Sequence, residues 1–227
     1  MQEKRIAGIK AADYIKDTMI VGLGTGSTVY YLIEQVGKLV KQGLNIKTVP
    51  TSKRTSSLAK KFNIPEIEID KIKKIDLAID GVDEIDKHFN AIKGGGGALF
   101  REKIVSTIAN KVIWIMDSSK IVDTIGKFPL PVEILPYGFT HVIEKLQMLS
   151  FNPTLRMKSD IPYVTDNHNY IVDLHLGESF NIEYVSEQLK SITGVLETGL
   201  FLNTCEKIIV GKNNEAKVIE NRNKSHC

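Results

Sequence analysis

Short apolar segments of strand length alternate with helix-like segments over the first half of the chain. Residues 19–24 (MIVGLG), 75–80 (IDLAID) and 111–117 (KVIWIMD) are apolar runs, and residues 27–43 between the first two are typical of an amphipathic helix. Uninterrupted apolar runs of this length indicate strands that are buried on both faces. Strands that alternate with helices predict an α/β fold, a Rossmann-like parallel sheet flanked by helices. The other elements predicted here are a first helix over residues 1–16, strands over 45–50 and 89–93, a helix over 55–62 and one that ends at Asn110.

The second half has a different pattern. A segment rich in proline and glycine, residues 126–138, predicts a boundary and an entry strand. The elements predicted after it are helices over 139–150 and 181–192, a strand near 153–157, a hairpin over 162–176 that turns at DNHN, and a strand over 195–202. This order predicts a smaller α+β, ferredoxin-like lobe. We therefore expect an α/β catalytic domain over 1–126, a lobe over 127–204, and a return of 205–227 to the first domain, with a frayed tail from Lys212.

Composition excludes several classes of protein. The 227 residues are 42% hydrophobic and 25% charged with a net charge of +3, and the scattered lysines do not predict binding to nucleic acid. We expect no membrane segment and no signal peptide. The two cysteines, Cys205 and Cys227, are not placed for a structural disulfide, which favours a reduced, cytoplasmic setting. The five histidines share no metal-ligand spacing.

The segment 22–28 (GLGTGST) lies between a predicted strand and a predicted helix. Glycine amides and a helix N-terminus together favour an anion such as phosphate. A dinucleotide fingerprint would need glycine or alanine in place of Ser27 and an acidic residue about twenty positions later, and a P-loop would need a lysine. A phosphate without a nucleotide remains, and the alternative is only a capped helix after a tight turn.

The segment 80–86 (DGVDEID) follows the strand over residues 75–79. Asp80 and Asp83 are spaced so that both can face one crevice, where carboxylates suit sugar hydroxyls, proton transfer or a hard metal ion. The glycine position does not fit an EF-hand. An acidic surface turn is the alternative.

The segment 92–105 (IKGGGGALFREKIV) contains four consecutive glycines before a helix. Lys93 is expected to end a strand beside them, so all three polar segments would lie at the carboxyl ends of strands, where ligands collect. Phe100, Ile104 and Ile108 are the predicted core face of the helix, which leaves Glu102 to face the crevice or solvent. Glu102 could be a base, or a surface residue that complements the helix dipole.

Together these segments resemble ribose-5-phosphate isomerase of the metal-independent type A. Five stretches show the resemblance: GTGST (24–28), AIDGVDEID (78–86), KGGGGALFREKIV (93–105), DSSK (117–120) and GKFPLPVEILP (126–136). It extends from the first helix to about Gly211, and one local departure is Gly97, where relatives often have alanine. The resemblance implies interconversion of D-ribose 5-phosphate and D-ribulose 5-phosphate through a cis-enediol or enediolate, in the pentose phosphate pathway.

The resemblance also implies functional residues. Glu102 would be the base, with Asp80, Asp83 and Lys93 completing the catalytic set and either aspartate assisting ring opening. The substrate contacts would be Thr25, Gly26, Ser27, Thr28, Asp80, Gly81, Val82, Asp83, Lys93, Gly94, Gly95, Gly96 and Lys120. No metal, no cofactor and a homodimer or homotetramer are expected. The alternatives are a related sugar-phosphate isomerase or lactonase, and a sensor that binds a sugar phosphate without catalysis.

Overall fold

The structure is a computed structural model that describes residues 1–222. The helices are α1 (Gln2–Ala12), α2 (Ser27–Lys41), α3 (Lys53–Lys61), α4 (Leu99–Thr107), α5 (Phe139–Met148) and α6 (Ile182–Ser191). The strands are β1 (Ile20–Leu23), β2 (Lys47–Pro50), β3 (Leu77–Gly81), β4 (Glu84–Ile85), β5 (Ala91–Ile92), β6 (Val112–Asp117), β7 (Leu130–Ile134), β8 (Pro153–Leu155), β9 (Met157–Lys158), β10 (Ile161–Pro162), β11 (Tyr170–Leu174), β12 (Val195–Thr198), β13 (Leu200–Phe201), β14 (Lys207–Lys212) and β15 (Glu215–Glu220).

The chain divides into two compact units. The first contains Met1–Val82, Arg101–Lys120 and the chain from Asn203 onward; the second contains Asp83–Phe100 and Ile121–Leu202. This division assigns residues 83–100 to the second unit, whereas the boundary expected from sequence placed them in the first. The reason is that β4 and β5 pair with β13 in a separate antiparallel sheet.

The first unit is built on a six-stranded sheet of order β15-β14-β6-β3-β1-β2. Neighbouring strands are parallel apart from the β14–β15 pair, and the apolar faces of α1 and α2 pack in its core. The predicted parallel sheet is confirmed. The predicted frayed tail is wrong for Glu215–Glu220, because these residues pair along β14 in a hairpin. Residues 223–227 of that predicted tail lie outside the described residues.

The second unit contains a four-stranded antiparallel sheet of order β12-β7-β11-β8 with α5 and α6 packed on its core. Numbered along the chain, these strands lie in the order 4-1-3-2, which is the ferredoxin-like arrangement predicted from sequence. The hairpin predicted around DNHN is present as the bridge between Val164 and Tyr170, and His168 adopts a φ of 65° at the turn.

The expectation that residues 89–93 extend the parallel sheet is wrong. Asp86 closes a tight turn in which its Oδ1 accepts hydrogen bonds from the backbone amides of His88 (2.8 Å) and Asn90 (2.9 Å). This turn folds β5 back on β4 as an antiparallel pair. The polar side chain of Asp86 therefore decided a pairing that the apolar pattern alone did not predict.

Residues 1–222 lack two features. No helix there is long and apolar enough to cross a membrane. No three side chains of His, Cys, Asp or Glu in that part of the chain are grouped as a metal site would require.

Candidate functional site

Three segments of the first unit follow strands at the carboxyl edge of its parallel sheet. Residues 24–28 follow β1, residues 80–82 end or follow β3, and the 3₁₀ turn Ser118–Lys120 follows β6. Because β1, β3 and β6 are parallel neighbours, their carboxyl ends meet at one edge, as predicted for ligand binding in such sheets.

Asp80 holds the first of these segments in place. Its buried carboxylate accepts hydrogen bonds at Oδ1 from the amides of Thr25 (2.9 Å) and Gly81 (2.7 Å). A Cβ on Gly24 would lie 1.9 Å from that oxygen and 2.6 Å from the Asp80 Cα, so the approach requires glycine. Asp80 and the 24–28 loop, which the sequence predicted to converge, are in direct contact.

A group of four hydroxyl side chains lies behind the loop: Thr25, Thr51, Ser52 and Thr55. The Thr25 Oγ1 lies 2.8 Å from both the Thr51 and Ser52 oxygens, and the Thr55 Oγ1 donates to the Gly24 carbonyl at 2.8 Å. Sequence reasoning missed Thr51, Ser52 and Thr55, although their position after the β2 strand was a usable signal. Thr25 therefore positions the loop through its hydroxyl as well as its amide.

We expect Thr55→Val to lower both stability and substrate affinity. Thr55 is buried, and valine would leave the Gly24 carbonyl and the neighbouring hydroxyls without this partner, at a cost of about 1–3 kcal/mol. Thermal denaturation measures the first effect, and KM measures the second. Ser57→Ala is the control, since Ser57 is exposed on the same helix and its hydroxyl donates to the Lys53 carbonyl within that helix.

Lys4 links the first and third segments. Its Nζ lies 2.9 Å from the Ser27 Oγ and 3.8 Å from the Asp117 Oδ2. Its neighbour Glu3 accepts bonds from the Ser118 amide (3.0 Å) and hydroxyl (2.8 Å), and these hydrogen bonds lower the pKa of Glu3. Sequence reasoning missed Lys4, because its partners are distant along the chain. The contacts fix the turn that carries Lys120.

Helix α4 runs antiparallel to the strands it covers. At its C-terminal side, the Asn110 amide donates to the Ile75 carbonyl (2.7 Å), just before β3 begins. Closer to the N-terminus of α4, the Val105 Cγ1 lies 2.5 Å from the point where a Cβ on Gly22 would be, and Ala78 lies beside the same point. The N-terminal turn of α4 therefore lies toward the carboxyl ends of β1 and β3, where Gly24 and Asp80 are.

Glu102 lies in that N-terminal turn, three residues before Val105, and is buried. Three helical residues rise about 4.5 Å, and side chains lean toward the helix N-terminus, so the carboxylate reaches toward the level of Asp80. The predicted core face was wrong: Ile104 is 41% exposed, whereas Leu99, Glu102 and Val105 are buried. Glu102 thus lies on the buried face of α4. The spacing of apolar residues predicted the wrong face because the buried face of α4 includes a carboxylate.

The remaining predicted residues belong to the second unit. Lys93 follows β5, is buried, and lies over the Phe201 ring at 5.2 Å from its centroid. The glycines after it form a turn in which the Gly97 amide donates to the Gly94 carbonyl at 2.9 Å. The Asp83 Oδ2 accepts from the Gly95 amide at 2.7 Å, so Asp83, Lys93 and the glycines form one local cluster.

The first unit thus has an α/β fold with amides, hydroxyls, cations and carboxylates gathered at the carboxyl edge of a parallel sheet, which is where α/β proteins of this class bind their ligands. The family model for ribose 5-phosphate isomerase A (phosphoriboisomerase A) matches residues 47–215. The ribose-5-phosphate isomerase A of Bifidobacterium longum subsp. infantis is 48% identical over 223 residues, which cover 97% of this chain and 96% of that protein. The one from Limosilactobacillus reuteri is 48% identical over 221 residues, covering 96% and 97%.

Solved structures agree with these sequence relatives. A D-ribose-5-phosphate isomerase in complex with phospho-erythronic acid superposes with a TM-score of 0.91 at 38% identity, covering 96% of this chain and 97% of that one. The ribose 5-phosphate isomerase of Plasmodium falciparum gives a TM-score of 0.91 at 36% identity, covering 96% and 98%. The chain belongs to the ribose 5-phosphate isomerase A family.

Proposed function

We propose that this protein interconverts D-ribose 5-phosphate and D-ribulose 5-phosphate, with Glu102 as the base. The observation that carries the proposal is the position of Glu102, buried in the α4 turn that lies toward Asp80 and the 24–28 loop. An aldose-to-ketose conversion needs one group that moves a proton between adjacent carbons, and a positioned carboxylate is suited to this.

The reaction follows from a single carboxylate. Glu102 takes the proton from C2 of the open-chain aldose, and the electrons of the broken C–H bond form the C1–C2 double bond of a cis-enediolate. The O1 oxyanion then gains a proton while O2 loses one, and return of the proton from Glu102 to C1 gives the ketose, so no atom is gained or lost. Asp80 is proposed to assist ring opening. Its Oδ1 accepts two amide hydrogen bonds, which fix the direction of its carboxylate.

The phosphate is proposed to bind at the 24–28 loop. Gly26 precedes the first turn of α2, whose amides and dipole favour an anion, and the Ser27 and Thr28 hydroxyls lie in that turn. Lys4 and Lys120 supply positive charge from neighbouring segments. Phosphate binding would hold C1 and C2 in place for proton transfer.

The roles that the resemblance gives to Val82, Asp83, Lys93, Gly94, Gly95 and Gly96 are part of the same proposal. What supports the last five is their local cluster, with buried Lys93 directly before the glycine turn. The expected homodimer or homotetramer and the cytoplasmic location also stay predictions; light scattering of the purified protein tests the first.

The test is conversion of ribose 5-phosphate in D₂O, followed by proton NMR. We expect ketose formation together with exchange of the C2 proton for solvent deuterium. Binding without exchange would instead support the non-catalytic sensor. Turnover of an amino-sugar phosphate or a phosphorylated lactone with no turnover of ribose 5-phosphate would support a related enzyme.

We expect prolonged treatment with EDTA to leave kcat unchanged, because the proposed proton transfer uses only side chains and amides. The assay is ketose formation before and after dialysis, with added Mg²⁺ as a comparison. Loss of activity that a divalent cation restores would contradict the mechanism and point to a metal ion at Asp80 and Asp83.

A further inference from the structure

Arg156 contacts the backbone of the glycine turn within the second unit. Its Nη1 donates to the carbonyl oxygens of Gly94 (3.0 Å) and Gly95 (3.2 Å). Both of these adjacent carbonyls face the same guanidinium, and glycine has the backbone freedom to adopt this orientation. One side chain therefore sets the orientation of two successive peptide groups.

Asp173 holds the guanidinium in place. Its Oδ2 accepts from the Arg156 Nε at 2.8 Å, and its Oδ1 accepts from Nη2, so the pair is bidentate. The two side chains are only 16% and 19% exposed. Asp173 lies on β11, which pairs with β8 immediately before Arg156, so the pair is supported by a sheet.

The contact with Arg156 determines where the next amide points. The peptide between Gly95 and Gly96 is trans, and the N–H of a trans peptide points opposite to its carbonyl. With the Gly95 carbonyl on Arg156, the Gly96 N–H points away from it. Within residues 1–222, this amide donates no backbone hydrogen bond, and Gly96 is exposed.

Two other amides of the turn have acceptors within the second unit. The Gly95 amide donates to Asp83, and the Gly97 amide donates back to the Gly94 carbonyl. Tyr163 lies beside the same turn: its hydroxyl is 3.4 Å from the Gly96 carbonyl, and its ring fills the space where a Gly97 side chain would be. Burial raises the pKa of Tyr163, which keeps the phenol protonated as a donor. The exposed Gly96 amide is therefore an outward-facing donor of this turn.

We propose that Arg156 is a positioning residue: held by Asp173, it aims the Gly96 amide at the substrate oxygen that becomes negative during enolisation. This inference rests on the proposed function. Enolisation moves charge onto an oxygen, and a preorganised amide that meets this charge acts in the transition state more than in substrate binding. Arg156 is bonded to the Gly94 and Gly95 carbonyls and to the Asp173 carboxylate, so its effect passes through the orientation of the Gly95–Gly96 peptide.

The test is Arg156→Gln, assayed for kcat, KM and inhibition by phospho-erythronic acid, whose carboxylate resembles the charged enediolate. We expect kcat to fall about 10- to 100-fold, since loss of one such donor costs about 10²- to 10³-fold, while KM stays within about threefold. The inhibition constant should rise by the factor by which kcat/KM falls, which a merely structural role would not produce. Asp173→Asn should change the same two quantities in the same direction.

Lys158→Gln is the matched control, because it removes an equal charge from an exposed site two residues away, and it should leave kcat and inhibition unchanged. Arg156→Gln leaves the partly buried Asp173 carboxylate without its partner, which could prevent folding. In that case the test uses Arg156→Lys, which keeps the charge but not the fork of donors. Folded variants of Arg156 with unchanged kcat and inhibition overturn the inference, as does a change in KM alone. An inactive wild-type protein would instead overturn the proposed function.

Discussion

Replacing Glu102 with glutamine is expected to lower kcat for ribose 5-phosphate by about 10²- to 10⁴-fold, the usual contribution of a positioned general base. Glutamine keeps the size and the hydrogen-bonding oxygen of the side chain, so KM should change little. Glu102 is buried in the first turns of α4. The neutral amide of glutamine costs less to bury than a charged carboxylate, so the fold should persist. The measurement is steady-state ketose formation together with the rate of C2 proton exchange in D₂O.

The control for this variant is Glu68→Gln. Its carboxylate is exposed and pairs with Lys71 one turn later, so activity should match that of the wild type. Glu102→Asp keeps the charge but draws the carboxylate back by one methylene, and it should also be impaired. Turnover within a few-fold of wild type in folded Glu102→Gln would contradict the role of Glu102 as base, whatever the substrate.

The second large effect is expected for Gly24→Ala, which should destabilise the protein by about 3 kcal/mol or more and lower kcat/KM at least tenfold. A Cβ there would lie 1.9 Å from the Asp80 Oδ1 and 2.6 Å from its Cα, so backbone must move. Overpacking of this kind costs about 1–3 kcal/mol, and displacing Asp80 also weakens its bonds to the Thr25 and Gly81 amides.

Gly81→Ala serves as the stability control for Gly24→Ala. A Cβ at Gly81 would have its nearest neighbour at 3.7 Å, an ordinary contact, and Gly81 needs no positive φ. Chemical denaturation of the two variants should therefore separate them by most of the predicted difference. Equal stabilities would show that the loop relaxes around the added methyl group and that the close approach to Asp80 is not essential.

The local motifs of the candidate site were readable in the sequence. Apolar runs predicted β1, β3 and β6, and polar segments followed two of them, so the parallel sheet rule predicted that the 24–28 loop and Asp80 would meet. The structure brings them to a distance of 2.9 Å. Thr25 and Asp80 are 55 positions apart, but they follow or end strands that are parallel neighbours in a regular sheet, which is why a pattern could predict that they meet.

Contacts between distant segments were not readable. Nothing near Lys4 in the sequence indicates its bond to Ser27, 23 positions away, and nothing near Arg156 indicates the carbonyls of Gly94 and Gly95. The face of α4 was misread because Glu102, a carboxylate, is buried where Ile104 is exposed.

The sequence by itself determined the alternation of strands and helices, the ferredoxin-like order of the second unit and the motifs that show the family. It could do so because periodicity and short motifs are local properties of a chain. The tertiary structure alone decided that β5 pairs antiparallel with β4, that Glu102 is buried, and that Arg156 fixes the glycine turn. The physical reason is that pairing, burial and hydrogen bonding between distant segments depend on which surfaces meet when the chain packs.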